Sequence, residues 1–365
     1  MTLSASQTSA LTHVRDYARA RAVEAKHQIE HVLQMSNVSA ERLEEALASL
    51  KSHARVALHF HPDRPGPHER TVAQELLTDG IYRSQFETGI SNGGVSAHPG
   101  GDRQRWENSI FGGAYDRAGN TPAERPKYGA LDLMLHSDGP APRFGSCYFL
   151  LDPKVSHRST FTYLDSHEDP VEKGTYEAFD DIAAALLRDT FTNDFAIGER
   201  DLSPNRLIDH LATKLEFSGP KPSTKPPSRN LNHYIEAQVH GEISLREDAE
   251  ALIADPSFAG TPTGHDLEAL CERYAIQLSW HTGFSLALID VPSDFRGPTM
   301  PSLARRISGG PYFDVHTIGR AVAELRRDAN QFSDRGTPEQ VLQELKLLWH
   351  VLVRHGRPFQ ESQSH

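Results

Sequence analysis

Three separated segments constrain this chain more than its overall composition does: Ile81-Tyr82-Arg83-Ser84-Gln85-Phe86, Arg143-Phe144-Gly145-Ser146-Cys147-Tyr148-Phe149 and Tyr234-Ile235-Glu236-Ala237-Gln238-Val239-His240. Each reads as a strand whose apolar run is interrupted by polar or charged groups. The third is the most informative. Side chains alternate along a strand, so Glu236, Gln238 and His240 share one face while Ile235, Ala237 and Val239 share the other. The apolar face is expected to pack inward and the polar face to line a cleft; a solvent-exposed sheet face is the alternative.

The other two segments supply complementary groups. A planar guanidinium at Arg83 suits bidentate contact with a phosphate, and the glycine-rich run Gly89-Ile90-Ser91-Asn92-Gly93-Gly94 that follows lets backbone amides approach an anion. Neither a phosphate-loop signature nor a G-x-G-x-x-G fingerprint is present. A structural salt bridge is the other role open to Arg83. Ser146 is not set in a G-x-S-x-G elbow, so it is expected to orient a ligand or to pack in its strand rather than to act as a nucleophile.

Helical spacing surrounds these strands. Apolar residues at Leu11, Val14, Ala18, Ala22, Ala25, Ile29 and Val32 predict a helix over 8–35, and Leu43, Ala46, Leu47, Leu50, Ala54 and Ala57 predict a second with Ser39 as its N-cap. The two are expected to pair as a hairpin that ends at the proline-rich run His61-Pro62-Asp63-Arg64-Pro65-Gly66-Pro67. Strands are predicted at 81–86, 128–135, 143–151, 160–164, 234–240, 276–280 and 284–290. Gly219 to Ser228 reads as an extended, proline-rich loop. Near the C-terminus, Thr337 as N-cap, Pro338 at the first helical position and Gln340 closing a capping box start a last helix with Val341, Leu345, Leu348 and Leu352 on one face. The expected class is α+β, divided into a helical region over 1–66, a core over 67–292 and a helical extension over 293–365.

Composition excludes several functions. A formal net charge of −11 argues against general binding to nucleic-acid backbones, which requires clustered cations. No apolar run approaches the ~20 residues that cross a bilayer. The start of the chain carries no charged-then-apolar signal segment, so a cytoplasmic protein without a membrane partner is expected, and an exported effector would look the same. Two cysteines, Cys147 and Cys271, exclude a disulfide framework, and Cys147 is expected to be buried and inert.

A rival constellation lies at His59-Phe60-His61-Pro62-Asp63. Two histidines at i and i+2 can reach one metal from an extended chain, and Asp165-Ser166-His167-Glu168-Asp169 offers further ligands. A metal-dependent hydrolase built on His59, His61, Asp63 and His167 is one alternative function. A non-enzymatic protein-interaction module using the polar strand face is another.

The chain resembles a bacterial family known as domain of unknown function 3626. The resemblance spans residues 55–290 and rests on His59-Phe60-His61-Pro62-Asp63-Arg64, Tyr82-Arg83-Ser84-Gln85-Phe86-Glu87-Thr88-Gly89, Arg125-Pro126-Lys127-Tyr128-Gly129-Ala130-Leu131, Arg143-Phe144-Gly145-Ser146-Cys147 and Tyr234-Ile235-Glu236-Ala237-Gln238-Val239-His240-Gly241. A weaker resemblance is to ADP-ribosyltransferases of the arginine-serine-glutamate type, whose motifs lie in that order on strands of a split β-sandwich. That resemblance implies transfer of ADP-ribose from NAD, as co-substrate, to an acceptor such as a protein. It assigns Arg83, Ser146 and Glu236 to the three motifs. Gln238 would orient the acceptor and His240 would act as a base or a buttress, while Arg83, Ser84, Asn92, Gly93, Tyr128 and Ser146 would contact NAD. Those enzymes carry their partner Glu or Gln two residues before the catalytic Glu, whereas here Gln238 follows Glu236, which leaves Glu242 as a second candidate carboxylate.

Overall fold

A computed structural model describes residues 2–66, 70–89, 97–117, 119–216 and 224–359. The expected loop residues Asn92 and Gly93, and residues 219–223 of the proline-rich stretch, lie outside the described residues. The first helix, α1 (Ala5–Met35), starts at a capping box in which Ser4 accepts from the Gln7 amide and Gln7 reaches back to the cap. Ser39 caps α2 (Ala40–His53). The expected hairpin does not form. Instead α1 lies chiefly along α6 (Asp180–Asn193) and α2 along α7 (Pro204–Lys214), because each buries its apolar stripe on a later helix.

The second helix also ends earlier than its stripe suggests. Ala54 turns extended, and Arg55–Phe60 becomes β1, in which Val56, Leu58 and Phe60 enter the main core. Hydrogen bonding to strands on both sides overrides the local helical period here. After α3 (Val72–Asp79) comes another departure. Residues 84–88 are not a strand but the short helix α4 (Gln85–Thr88), with Ser84 and Glu87 forming a capping box. The S-x-x-E pattern wins over the aromatic run.

From α5 (Asp102–Phe111) the chain enters β2 (Lys127–Asp132), β3 (Cys147–Leu151), β4 (Ser159–Tyr163) and β5 (Lys173–Thr175). The third segment of the sequence, β8 (Ile235–Val239), follows a small ribbon of β6 (Phe195–Ala196) and β7 (Glu199–Arg200). Next come α8 (Leu245–Asp248), β9 (Ala249–Ala254), α9 (Pro262–Tyr274), β10 (Gln277–Trp280) and β11 (Ser285–Ala287), which pairs with β12 (Tyr312–Asp314). Helices α10 (Met300–Ile307), α11 (Val315–Arg327) and α12 (Pro338–His355) close the chain, with Thr337 and Gln340 capping α12 as its sequence predicts.

The fold is mixed α/β with an open sheet of order β10-β9-β3-β1-β2-β8-β4-β5. Its pairs are antiparallel except β9 with β10. One sheet face, carrying Leu58, Phe149, Phe161, Ile235, Ala237 and Val239, joins α1, α2, α6, α7, α9 and the C-terminal helices in a single apolar cluster. The opposite face carries His59, Tyr128, Thr160, Glu236 and Gln238. Among the described residues no helix is long and apolar enough to cross a membrane.

One irregularity of the sheet positions the site. The β1–β2 ladder runs from Arg55–Asp132 only to Ala57–Ala130. Beyond it, His59 and Phe60 stay paired with β3, whereas Lys127, Tyr128 and Gly129 stay paired with β8. The sheet therefore forks. Glycine is required at the fork, since a Cβ on Gly129 would sit 2.5 Å from the Ala57 carbonyl oxygen and against the Val56 and Leu58 side chains.

Candidate active site

A cavity of about 450 Å³ opens in this fork. His59 and Phe60 of β1 line one wall, Lys127, Tyr128 and Gly129 of β2 another, and Glu236, Arg103 and Asp165 reach it from β8, from the first turn of α5 and from the loop after β4. Tyr82, Arg83 and Phe144 complete the apolar and charged lining.

Glu236 sits opposite Ala130 and Thr162, on an interior strand, and is 4% exposed. Gln238 Nε2 donates to its Oε1 at 2.9 Å, and the Ser166 amide approaches its Oε2 at 3.5 Å. Burial, reinforced by the negative charge of Asp165 and opposed by Arg103, pushes Glu236 up to about 7. Asp165 goes the other way. Burial works to raise it, but hydrogen bonds from the Tyr234 hydroxyl (2.6 Å), the His167 amide (3.0 Å) and the His167 ring outweigh that effect and leave it below the ordinary carboxylate value. Two neighbouring carboxylates with oppositely shifted proton affinities are an arrangement suited to separate acid and anion roles.

Arg103 supplies the cation. Its guanidinium lies 4.4 Å above the Tyr128 ring and 5.4 Å from Trp106, and Nη1 is 3.5 Å from the Ser166 hydroxyl. Desolvation works against its charge, but the fields of Tyr128, Glu236, Glu107 and Asp165 prevail and keep it protonated. Tyr128 is anchored in turn by donating to Glu107 at 3.0 Å, and Glu107 pairs with Arg125.

The expected residues are distributed unevenly around this cavity. Glu236, Arg83 and Tyr128 line it together. Arg83, however, is engaged by Asp79 at 2.7 Å and Glu75 at 3.7 Å, at the half-exposed mouth. Ser84 is a helix cap: its hydroxyl accepts from the Glu87 amide and donates to the Pro122 carbonyl at 2.8 Å. Ser146 is buried outside the cavity, in the turn before β3, with Cys147 Sγ at 3.9 Å from its hydroxyl and its carbonyl accepting from His281 at 2.8 Å. It is held there because Gly145 packs directly on the Phe60 backbone, where a side chain has no room. Gln238 and His240 are fully buried behind Glu236, and Glu242 is exposed and away from the cavity. Cys147 is buried, and its thiol is pushed up by desolvation, as an inert cysteine should be.

The four metal candidates do not gather. His59 donates from Nδ1 to the Gly145 carbonyl at 3.0 Å and accepts on Nε2 from the Ala141 amide at 3.3 Å, so both ring nitrogens are occupied. His61 packs edge-on to Trp349, Asp63 lies against Gly319 of α11, and His167 pairs with Asp165. Among the described residues no three His, Cys, Asp or Glu side chains converge as a ligand set.

Arg103 was not anticipated from sequence, and Asp165 was anticipated only as a metal ligand. Both reach the cavity from outside the sheet, and only the chain's long-range pairing brings them there. The matching model extends over residues 55–355, past the 290 expected and through α12, and the chain belongs to the family described as protein of unknown function (DUF3626). No curated protein matches this chain.

Proposed function

We propose that this protein is an NAD-dependent ADP-ribosyltransferase whose co-substrate binds in the fork between β1 and β2. The observation that carries the reading is the placement of Glu236: a buried carboxylate on an interior strand, facing a cavity of nucleotide-compatible size beside a buried arginine and an aromatic ring. The expected split β-sandwich core belongs to this reading; eight of the described strands form one open sheet that forks between β1 and β2.

When NAD is bound, the bond from ribose to nicotinamide breaks with its electron pair leaving on the ring nitrogen, and the sugar passes through a cationic state before an acceptor adds. Glu236 as the carboxylate stabilises that cation and accepts from a ribose hydroxyl; its negative charge acts strongly because the site is shielded from water. Arg103 and Arg83 supply positive charge for the phosphates, and Tyr128 and Phe144 offer apolar faces to the rings. Gln238 holds Glu236 instead of orienting the acceptor. The acceptor is a protein side chain on this reading. Incubation with NAD labelled in the adenylate, together with a cell lysate, is expected to give label transfer and nicotinamide release; a folded sample that gives neither sinks the proposal.

A further inference from the structure

We propose that Tyr115, His240, Thr160 and Gln238 form a one-way chain of hydrogen-bond donors ending on the Glu236 carboxylate, and are positioning residues of the cavity. The role deepens the transferase reading, on which it rests only for what Glu236 does in turnover. The direction of the chain follows from bond counting. The Thr162 hydroxyl donates to the Leu164 carbonyl at 3.0 Å, so it can only accept from Gln238, which must present Nε2 to it at 3.2 Å. The second Nε2 proton goes to Glu236 Oε1 at 2.9 Å, and Gln238 Oε1 accepts from the Thr160 hydroxyl at 2.8 Å.

That bond uses the only proton of Thr160. Its contact with His240 Nε2, at 3.1 Å, is therefore donated by the imidazole. A neutral ring protonated on Nε2 has a bare Nδ1, and the Tyr115 hydroxyl donates to it. Burial, with Lys127 and Arg158 nearby, pushes His240 down to about 3, which keeps the ring neutral. Thr160, Gln238 and His240 are fully buried and Tyr115 is 2% exposed, so water does not compete along the chain. The far end is seated by Ala10 and Val14 of α1 packing with Ile110, Phe111 and Tyr115.

Every donor points toward the carboxylate, which favours its charged form. The chain works beside the other groups that face Glu236: Arg103 from α5, which lowers its proton affinity, Asp165 after β4, which raises it, and Tyr128 of β2 and Tyr234, which precedes β8. Replacing Thr160 by valine keeps the shape but leaves Gln238 Oε1 unpaired. Gln238 then loses the donor that polarises its amide, and its donation to Glu236 weakens.

Two measurements on the folded protein decide this. Long-range proton–nitrogen NMR of wild-type His240 is expected to show a neutral ring protonated on Nε2; the Nδ1 tautomer or a cation overturns the chain. Carbon-13 titration of the Glu236 carboxyl, assigned by its loss in Glu236→Gln, is expected to show a proton affinity ~3–10-fold higher in Thr160→Val, restored in Thr160→Ser. An unchanged midpoint in Thr160→Val overturns it. In nicotinamide release the acidic limb is expected to move by the same factor with KM unchanged. If wild type releases no nicotinamide, the transferase reading fails while both NMR readouts still decide the chain.

Discussion

Two neighbouring clusters of buried ionisable groups share His61 and Arg64 at their border, yet they differ in the space they enclose and in how Glu236 and Asp165 of one, and Asp63 and His350 of the other, are paired. In the fork cavity, Glu236 and Asp165 are hydrogen-bonded and open onto about 450 Å³ of space, with Gln238 and His240 hydrogen-bonded behind Glu236. Under the C-terminal helices, His61, Asp63, Arg143 and Lys346 surround a void of about 20 Å³, with His350 on the same helix as Lys346. Asp63 Oδ2 and both ring nitrogens of His350 find no hydrogen-bond partner among the described residues. Buried polar atoms left unpaired weaken a fold, whereas paired ones around an open cavity hold a reactive group in place. The first cluster therefore reads as a site, and the second as a clasp between the turn at 61–64 and helices α11 and α12.

The largest expected difference between the two comes from Glu236→Gln. Turnover of NAD should fall about 10²–10³-fold, the usual loss when one preorganised electrostatic partner is removed. The fold should not suffer. Glu236 titrates at about 7 in the folded chain against 4.5 as its ordinary value, so stability associated with its neutral form is lost as pH rises through 7, and glutamine removes that loss. Thermal melts at pH 8 should show the variant at least as stable as wild type. Wild-type turnover should decline as pH falls through 7, where the carboxylate takes up its proton. A Glu236→Gln protein that is active, or one that is unfolded at pH 8, breaks the contrast.

How much of this was legible in sequence depended on whether the signal was local. The Thr337-Pro338 cap of α12 and the alternation that sets Glu236, Gln238 and His240 on one face are local, and both hold. The segment around Arg83 misled because its aromatic residues outweighed the S-x-x-E cap at Ser84 and Glu87, which was equally visible. β1 read as the end of a helix because Ala54 and Ala57 continue the stripe of α2, and only pairing with β2 and β3 makes it extended. Arg103 and Asp165 carry no periodic signal at all; their role depends on a fork in the sheet that no local pattern encodes.

The clasp makes the next two predictions. Gly319 lies where α11 meets Asp63, and a methyl group there would occupy the space of Asp63 Oδ2. Alanine favours a helix over glycine by ~1 kcal/mol, but overpacking a closed site typically costs about 1–3 kcal/mol. Gly319→Ala should therefore destabilise by ~2 kcal/mol in denaturant unfolding, and Asp63→Ala in the same chain should recover part of it. Asp63→Asn has a smaller, pH-dependent effect. Burial pushes Asp63 up to about 7 from 3.8, so its ionisation subtracts stability as pH rises through 7. The variant should gain on the order of 1–2 kcal/mol more at pH 8 than at pH 5 relative to wild type. A gain independent of pH would show that Asp63 is not the strained carboxylate of the clasp.

The smallest effect is expected at Ser146, and it sharpens the comparison from the other side. If the fork cavity works as an arginine-serine-glutamate site in the form the resemblance implies, Ser146→Ala should impair turnover as Glu236→Gln does. The geometry argues otherwise. The Ser146 hydroxyl is buried outside the cavity, its nearest polar contact is Cys147 Sγ at 3.9 Å, and the group His281 uses is the backbone carbonyl, which alanine retains. The orienting bond to Glu236 comes from Gln238. Ser146→Ala should thus change kcat/KM for NAD by less than about threefold and stability by under ~1 kcal/mol, as for a buried hydroxyl without a strong partner. A loss comparable to that of Glu236→Gln would return the serine to the site and require the turn before β3 to rearrange when NAD binds.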